Sequence, residues 1–445
     1  MAITGLEIFK LLPKTNCKKC GMPTCLAFAM QLAQKRAKLE DCPCVSEEAK
    51  QTLAAAAAPP IRLVKFGIAE TQVQIGQETV LFRHDEKFHN PTVLAVTVSD
   101  KLTGDALNRR IEAVKSLQFD RVGIHVCVKA AAIVNESGSA SSFAAAAESV
   151  KKAGGLALIL VSDSPDAVKA ALGKTADAVP LIGSATKETA EAMAKIAKEN
   201  KCPLMAKAES VEALAELSEK IKACGVDDIV LNLDGPNLKD LLCGLSQIRV
   251  LSLKKVFRPL GYPTISFSTK GDANRQAVQA ASLICKYSSV IVLDNTEPYV
   301  FLPLLTAVMN IFTDPQKPVQ VEPKVYMVGE PNENSPLLFT TNFSLTYYTV
   351  ESDVEASRVP SYILVVDTEG TSVLTAYSGD KLNEKTVADA LTKHNMTSLV
   401  KHRKLIIPGY VAVMSGKLED ATNWEIMVGP RESSMLPKYL QEVWK

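Results

Sequence analysis

Five of the ten cysteines in this 445-residue chain fall within residues 16–44, NCKKCGMPTCLAFAMQLAQKRAKLEDCPC. Their spacing is Cys17-x2-Cys20-x4-Cys25-x16-Cys42, with Cys44 two residues further on. Thiolates are soft ligands, and four of them hold an iron–sulfur cubane, one per iron. The first three lie in a short loop, where Gly21 and Pro23 let the backbone wrap a compact group. A helical pattern, LAFAMQLAQKRAKL, then brings back the fourth thiol and offers an apolar wall of Leu26, Phe28, Ala29, Met30 and Leu32. Zinc is the competing occupant, since four cysteines also bind it tetrahedrally. Zinc ribbons usually pair two short knuckles, whereas the second half here supplies one well-placed ligand and a C-P-C, which favours the cluster. Unligated core cysteines are the plainest alternative. Cys127, Cys202, Cys224, Cys243 and Cys285 are scattered and read as small core residues.

These thiols need a scaffold, and the chain is long enough for two to four domains. Hydrophobic residues make up 47% and charged residues 22%, a globular composition, and the net charge of +1 gives no footprint for nucleic acid or an anionic membrane. The N-terminal MAITGLEIFKLLPK lacks the features of a signal peptide. The longest apolar run, YVFLPLLTAVMNIF (299–312), is too short to span a bilayer and contains Pro303. A cytoplasmic protein is expected, and in that reducing compartment clustered cysteines are metal ligands more often than disulfides.

Three regions separate by pattern. Residues 1–58 carry the thiols and end in LAAAAAPP, where Ala54 to Ala58 extend a helix that Pro59 and Pro60 stop, giving a hinge. Residues 59–315 open with two preliminary strands, RLVKFGI and VQIGQETVLF. Eight apolar runs follow: VLAVTV (93–98), VGIHVCV (122–128), LALILV (156–161), VPLIG (179–183), PLMAKA (203–208), DIVLNL (228–233), TISFS (264–268) and VIVLD (290–294). Helical patterns fill nearly every gap between them. Continuous apolar runs suit strands buried on both faces, and eight strand–helix units predict a closed (β/α)8 TIM barrel, an open doubly wound sheet being the alternative. Residues 316–445 begin within the Pro-rich DPQKPVQVEP (314–323) and continue as a smaller α/β alternation through KVYMVGE, YILVVDTEG, KLIIPG and WEIMVGP. This predicts a Rossmann-like domain, without the G-x-G-x-x-G of a dinucleotide site.

TGLEIFKLLPKTNCKKCGMPTCLAFAM (4–30), the Ala-Pro-Pro linker, the barrel pattern and the C-terminal α/β alternation together resemble the large subunit of the corrinoid/iron–sulfur protein of the anaerobic acetyl-CoA pathway. The resemblance covers essentially the whole chain. It implies a [4Fe–4S] cluster on Cys17, Cys20, Cys25 and Cys42, with no assigned role for Cys44. It implies a cobamide in the C-terminal domain and a smaller barrel subunit as heterodimer partner. The expected function is methyl carriage. Cobalt(I) takes a methyl group from methyltetrahydrofolate through a separate methyltransferase and delivers it to acetyl-CoA synthase/CO dehydrogenase, while the cluster reactivates cobalt(II). The chain would then be a carrier serving two enzymes and not a free-standing catalyst.

The residues bear on that expectation. The chain has five histidines, and only His394 and His402 lie in the C-terminal region. Neither sits in the D-x-H-x-x-G loop that commonly supplies an axial imidazole, so a base-off cobamide without a histidine ligand is expected. A fixed axial donor would stabilise the higher oxidation states of cobalt. Three loops at strand ends are candidates to hold the corrinoid: FTTNFSLT with Thr340, Thr341 and Thr346; DTEGTSVL with Gly370, Thr371, Ser372 and Val373; and VGPRESS with Gly429, Pro430, Arg431 and Ser433. IPGY, with Gly409, is a fourth. Glycine admits a bulky ring, and small hydroxyl residues bond to it without filling the space; the plain alternative is turn and N-cap chemistry. In the barrel, Asn232, Asp234 and Lys207 stand at strand ends, where a pterin-dependent methyltransferase would work or where polar groups merely pack. An autonomous enzyme of that kind, and an iron–sulfur electron-transfer protein lacking a corrinoid, are the alternative functions.

Overall fold

The computed structural model describes residues 5–33, 37, 39–46, 49, 59–235, 237–269 and 271–444. The expected helix extension at Ala54 to Ala58 lies outside the described residues. The chain divides into two compact units, Met1–Gln118 with Cys127–Phe312, and Phe119–Val126 with Thr313–Lys445.

In the first unit eight strands close into a parallel barrel: Val93–Ser99, Ala130–Val134, Ala157–Val161, Leu181–Ala185, Leu204–Ala208, Ile229–Leu233, Thr264–Ser268 and Val290–Leu293. Closure is made by Val290–Leu293 pairing in register with Val93–Val96. Six of seven residues in the first strand are buried, as expected for strands covered on both faces. Ser139, Ser164, Ser210, Asn237 and Asp272 each accept a backbone N–H at a helix start, which fixes where the following helix begins.

The second barrel strand corrects the sequence expectation. VGIHVCV does not enter the barrel; Ala130–Val134 does. Ile124–Cys127 instead pairs with Gln118–Arg121 in a separate two-stranded sheet, turning at Val122 and Gly123, both at positive φ. None of its four residues is fully buried and His125 is exposed, as suits a hairpin at the surface and not a barrel strand covered on both faces. The Ala-rich AAAIV has weaker strand propensity but is buried at Ala130 to Ile133, and burial decides the matter.

The preliminary strands form an antiparallel pair, Val64–Phe66 with Val73–Ile75. Val64, Phe66, Val73 and Ile75 share one core with inward barrel residues such as Ala95, Ile159, Met205 and Val292. The second of these strands is shorter than VQIGQETVLF suggested, because Gly76 and Gln77 take positive φ and end it.

The second unit holds a five-stranded sheet in the order Val325–Val328, Ser361–Val366, Leu337–Thr341, Lys404–Ile407, Glu425–Val428. The edge strand Val325–Val328 is antiparallel, and the other four run parallel. Leu337–Thr341 is a strand, so Phe339, Thr340 and Thr341 of the expected loop FTTNFSLT belong to its end. One apolar core includes Leu337, Phe339, Leu364 and Ile407, and a second includes Leu338, Tyr347, Ile363 and Ile406. Alternate side chains of each strand therefore feed cores on opposite faces. Among the described residues no helix is long and apolar enough to cross a membrane.

Candidate functional site

The thiol lobe is built on helices Gly5–Leu11 and Cys25–Ala33 and a 3-10 turn, Leu39–Asp41. Its core joins Ile8, Leu12, Phe28, Ala29 and Val45 to Cys25 and Cys42, with Cys20 and Cys44 packed against it. Cys17 is exposed. The loop between the helices takes positive φ at Lys14, Asn16, Lys18 and Gly21. Such alternation turns successive backbone N–H groups towards one side and favours an anionic group there. Asn16 Oδ1 accepts the N–H of Cys25 at 2.8 Å, and Thr24 Oγ1 accepts that of Ala27 at 3.0 Å, so Cys25 is pinned at a capped helix start.

Cys17 Sγ lies 3.8 Å from Cys44 Sγ. The Lys19 N–H, the Thr15 hydroxyl and the Lys19 charge all hold the Cys17 thiol below its usual range. The hydrogen bond to Cys17 and burial push the Cys44 thiol up. Among the described residues no three metal-ligating side chains converge on one point. What fits an iron–sulfur group is the donor set: five thiols in one small lobe, an N–H-rich loop, and a backbone donor on Cys17.

In the second unit a cavity of about 320 Å³ opens at the carboxyl ends of Leu337–Thr341, Lys404–Ile407 and Glu425–Val428. Helix Ser344–Ser357 contributes Leu345, Thr346, Thr349 and Val350 to its wall, and the final helix, Leu436–Val443, contributes Leu436. Thr340, Thr346, Ser372, Val373, Gly429, Pro430, Arg431 and Ser433 line it, drawn from all three loops singled out in the sequence. Thr341, Gly370 and Thr371 are not among the lining residues. Thr341 is fully buried and, by the strand's alternation, faces the other core. Gly370 donates its N–H to Asn342 Oδ1 at 2.9 Å, and Thr371 Oγ1 donates to Thr368 O at 2.7 Å, so both build the loop from within.

Two observations test whether a corrinoid fits here. Thr340, 1% exposed, has a hydroxyl with no hydrogen-bond partner within the protein. Buried hydroxyls are nearly always satisfied; of the two neighbouring orphans, Thr340 and Thr341, Thr340 is the one whose residue lines the cavity, where a guest could supply the partner. The loops after the last two strands also touch backbone to backbone: Gly409 N–H donates to Pro430 O at 3.1 Å and Gly429 N–H to Ile407 O at 2.8 Å. A Cβ on Gly409 would stand 2.5 Å from Gly429 O, so only glycine gives this wall its shape. The site fits a ligand that offers both apolar surface and polar edges.

Sequence reasoning missed three contributors. Asn342, 1% exposed, accepts from the N–H groups of Thr368 and Gly370 and from Thr368 Oγ1, and donates to Asp367 Oδ1 at 2.9 Å. It locks the DTEG loop to the end of the neighbouring strand; the legible signal was an Asn directly after a strand. Tyr410 and Glu432, both lining the cavity, are hydrogen-bonded to each other. That pair joins residues of two loops and leaves no local trace in the sequence.

Neither C-terminal histidine lines the cavity. His402 Nε2 bonds Ser335 O at 2.8 Å, and the ring packs edge-on to Trp444 before strand Lys404–Ile407 begins, at the opposite end of the sheet. His394 caps the end of helix Glu384–Lys393. In the barrel, Lys207 Nζ pairs with Asp234 Oδ2 at 3.3 Å, and Asn232 Nδ2 donates to Ile265 O at 3.1 Å. A cavity of about 530 Å³ beside them has a mixed charged lining of Lys187, Glu188, Glu209, Glu216 and Lys220.

Residues 63–440 match the family described as CO dehydrogenase/acetyl-CoA synthase delta subunit, and residues 12–44 match an Fe-S cluster family. The corrinoid/iron-sulfur protein large subunit of Moorella thermoacetica is 47% identical over 98% of this chain and 97% of its own length. The acetyl-CoA decarbonylase/synthase complex subunit gamma of Methanothermobacter thermautotrophicus is 38% identical over 100% and 99%. Dihydropteroate synthase from Thermus thermophilus aligns with 57% of this chain and 100% of its own at 13% identity and a TM-score of 0.40. The cysteine-rich lobe, the closed barrel and the C-terminal sheet thus lie on a chain that belongs to the corrinoid/iron–sulfur protein large-subunit family of the acetyl-CoA pathway.

Proposed function

We propose that this chain is a cytoplasmic methyl carrier that shuttles between a methyltetrahydrofolate-dependent methyltransferase and acetyl-CoA synthase/CO dehydrogenase, paired with a smaller barrel subunit. It works as three parts, 1–58, 59–315 and 316–445. A cobamide, when bound, supplies a cobalt that accepts and releases a methyl group. A [4Fe–4S] cluster on Cys17, Cys20, Cys25 and Cys42, when bound, supplies single electrons at low potential.

The chain's own residues then have definite tasks. Thr340 and the hydroxyls of Thr346, Ser372 and Ser433 offer hydrogen bonds to the corrinoid's polar edges. Leu338, Ile406 and Leu436 exclude water from its apolar parts. Asn342 and the Gly409–Gly429 contact keep the three loops in place before the ligand arrives, which lowers the ordering cost of binding. His402 is committed to Ser335, which agrees with a cobalt that has no imidazole from the protein.

The observation that carries this reading is the largely apolar cavity at the strand ends, with the unpartnered Thr340 hydroxyl in its wall. The test supplies corrinoid-loaded, reduced protein with radiolabelled methyltetrahydrofolate and a methyltransferase, and then with acetyl-CoA synthase, CO and coenzyme A. Label passing through the protein-bound corrinoid into acetyl-CoA is the expected result. Protein that binds corrinoid but never acquires label overturns the proposal.

A further inference from the structure

Four thiols suffice for a cubane, and this lobe carries five. The fifth, Cys44, stands against one proposed ligand in particular. Its Sγ is 3.8 Å from Cys17 Sγ, across 27 residues of chain. Among the described residues no other two thiols are hydrogen-bonded to each other. Cys25 starts a helix and is buried, and Cys42 is buried in the same core. Cys17 lies in the loop between the two helices and Cys44 in a turn, so no helical ladder fixes either of them. Their sulfurs are already in contact, and a bond between them needs an approach of about 1.8 Å. Cys17 is also the one exposed thiol of the five, so a reagent in solution meets it first.

We propose that Cys17 and Cys44 form a reversible disulfide in the cluster-free lobe, and that this bond and the cluster exclude one another. The exclusion rests on the iron–sulfur reading with Cys17 as a ligand; the disulfide itself does not. The oxidant is a low-molecular-weight disulfide. The Cys17 sulfur attacks it, breaks its S–S bond and releases one small thiol, which carries off the Cys17 proton. The Cys44 sulfur then attacks the mixed disulfide at Cys17 Sγ and releases the second small thiol with the Cys44 proton. Two protein thiols are oxidised by two electrons, and one small disulfide is reduced to two thiols. A sulfur bonded to sulfur is no longer a thiolate for iron, and a Cys17 thiolate bound to iron is shielded from exchange. The bond would keep the exposed thiol of an empty lobe from irreversible oxidation and tie cluster loading to reducing conditions, the transient kind of disulfide found in reducing compartments.

The test takes the full chain, cleared of iron by a chelator under reducing conditions and then freed of reductant, and incubates it anaerobically with oxidised glutathione. Free thiols are alkylated in denaturant, and peptide mass spectrometry reads the links. The expected product joins the Cys17 and Cys44 peptides and leaves Cys20, Cys25 and Cys42 alkylated. In Cys44→Ser the reaction should stop at the mixed disulfide, with one glutathione retained on Cys17. Parent protein reconstituted to full iron and sulfide content should form the Cys17–Cys44 link at least about tenfold more slowly, because the attacked thiol is no longer accessible. Cys44 left free, or links that join Cys17 to Cys20 or Cys42 instead, overturn the proposal. A Cys17–Cys44 link that forms in reconstituted protein without loss of iron overturns the exclusion and takes Cys17 out of the ligand set. Fully reduced protein that acquires no iron and sulfide refutes the iron–sulfur reading itself, and the glutathione experiment alone then decides the disulfide.

Discussion

Thr340→Val is the sharpest perturbation of the proposed corrinoid site. Valine keeps the shape of threonine and removes only the hydroxyl, which is buried without a partner within the protein. Burying an unpaired hydroxyl costs about 1–3 kcal/mol, so the variant should make the corrinoid-free protein more stable by about 1 kcal/mol. In the loaded protein the same hydroxyl is expected to donate to the corrinoid. Losing that bond and the relief it brings should weaken binding by about 1.5 kcal/mol, roughly tenfold. Stability and affinity therefore move in opposite directions, which general damage to the fold would not produce. Thr341→Val is the internal control. Its hydroxyl is equally buried and unpartnered but turned to the other face of the sheet, so it should stabilise the protein and leave affinity alone. Urea unfolding of corrinoid-free protein and absorbance titration with a cobamide measure the two quantities. If Thr340→Val destabilises the protein or binds the cobamide like the parent, the hydroxyl is satisfied by the chain and the site reading loses its main support.

Three further outcomes are expected, the first from the proposed ligand set and the other two from the geometry. Cys42→Ala should lose most of the bound iron, whereas Cys44→Ala should keep it, as measured by iron and sulfide content after anaerobic reconstitution; the reverse pattern would exchange their roles. Gly409→Val places side-chain atoms where Gly429 O already stands, so it should weaken cobamide binding at least about tenfold through overpacking. In the first unit, Arg249 pairs with the buried Glu78 at 3.2 Å and lies over both the Phe88 and Tyr287 rings, so Arg249→Met should cost about 3–5 kcal/mol in urea unfolding by leaving that carboxylate unpaired. Burial already pushes the Glu78 carboxyl up, against the pull of Arg249. A raised acid is stabilised by protonation, so the variant's deficit should shrink as pH falls and grow as pH rises through the folded-state value.

The barrel was legible because its strands are continuous apolar runs separated by capped helices, a pattern that reports burial directly. It failed at one strand, where VGIHVCV has the better intrinsic propensity and AAAIV has the burial. The three loops around the cavity were legible as classes of residue, since glycine and small hydroxyls at strand ends follow local rules. Which of those residues turn inward was not. Thr340 and Thr341 are neighbours of one type, and only the pleat of a strand hidden in a loop-like segment separates them. The Tyr410–Glu432 pair joins loops distant in sequence, and no local pattern encodes such a contact.

The central claim is that the C-terminal unit holds a cobamide whose cobalt takes no nitrogen from the polypeptide. Electron paramagnetic resonance of the cobalt(II) state, in natively loaded protein with natural-abundance and 15N-labelled histidine, tests it directly. The expected spectrum shows cobalt hyperfine lines without axial nitrogen splitting and is identical in the two samples. A nitrogen splitting that changes with the histidine label would contradict the account.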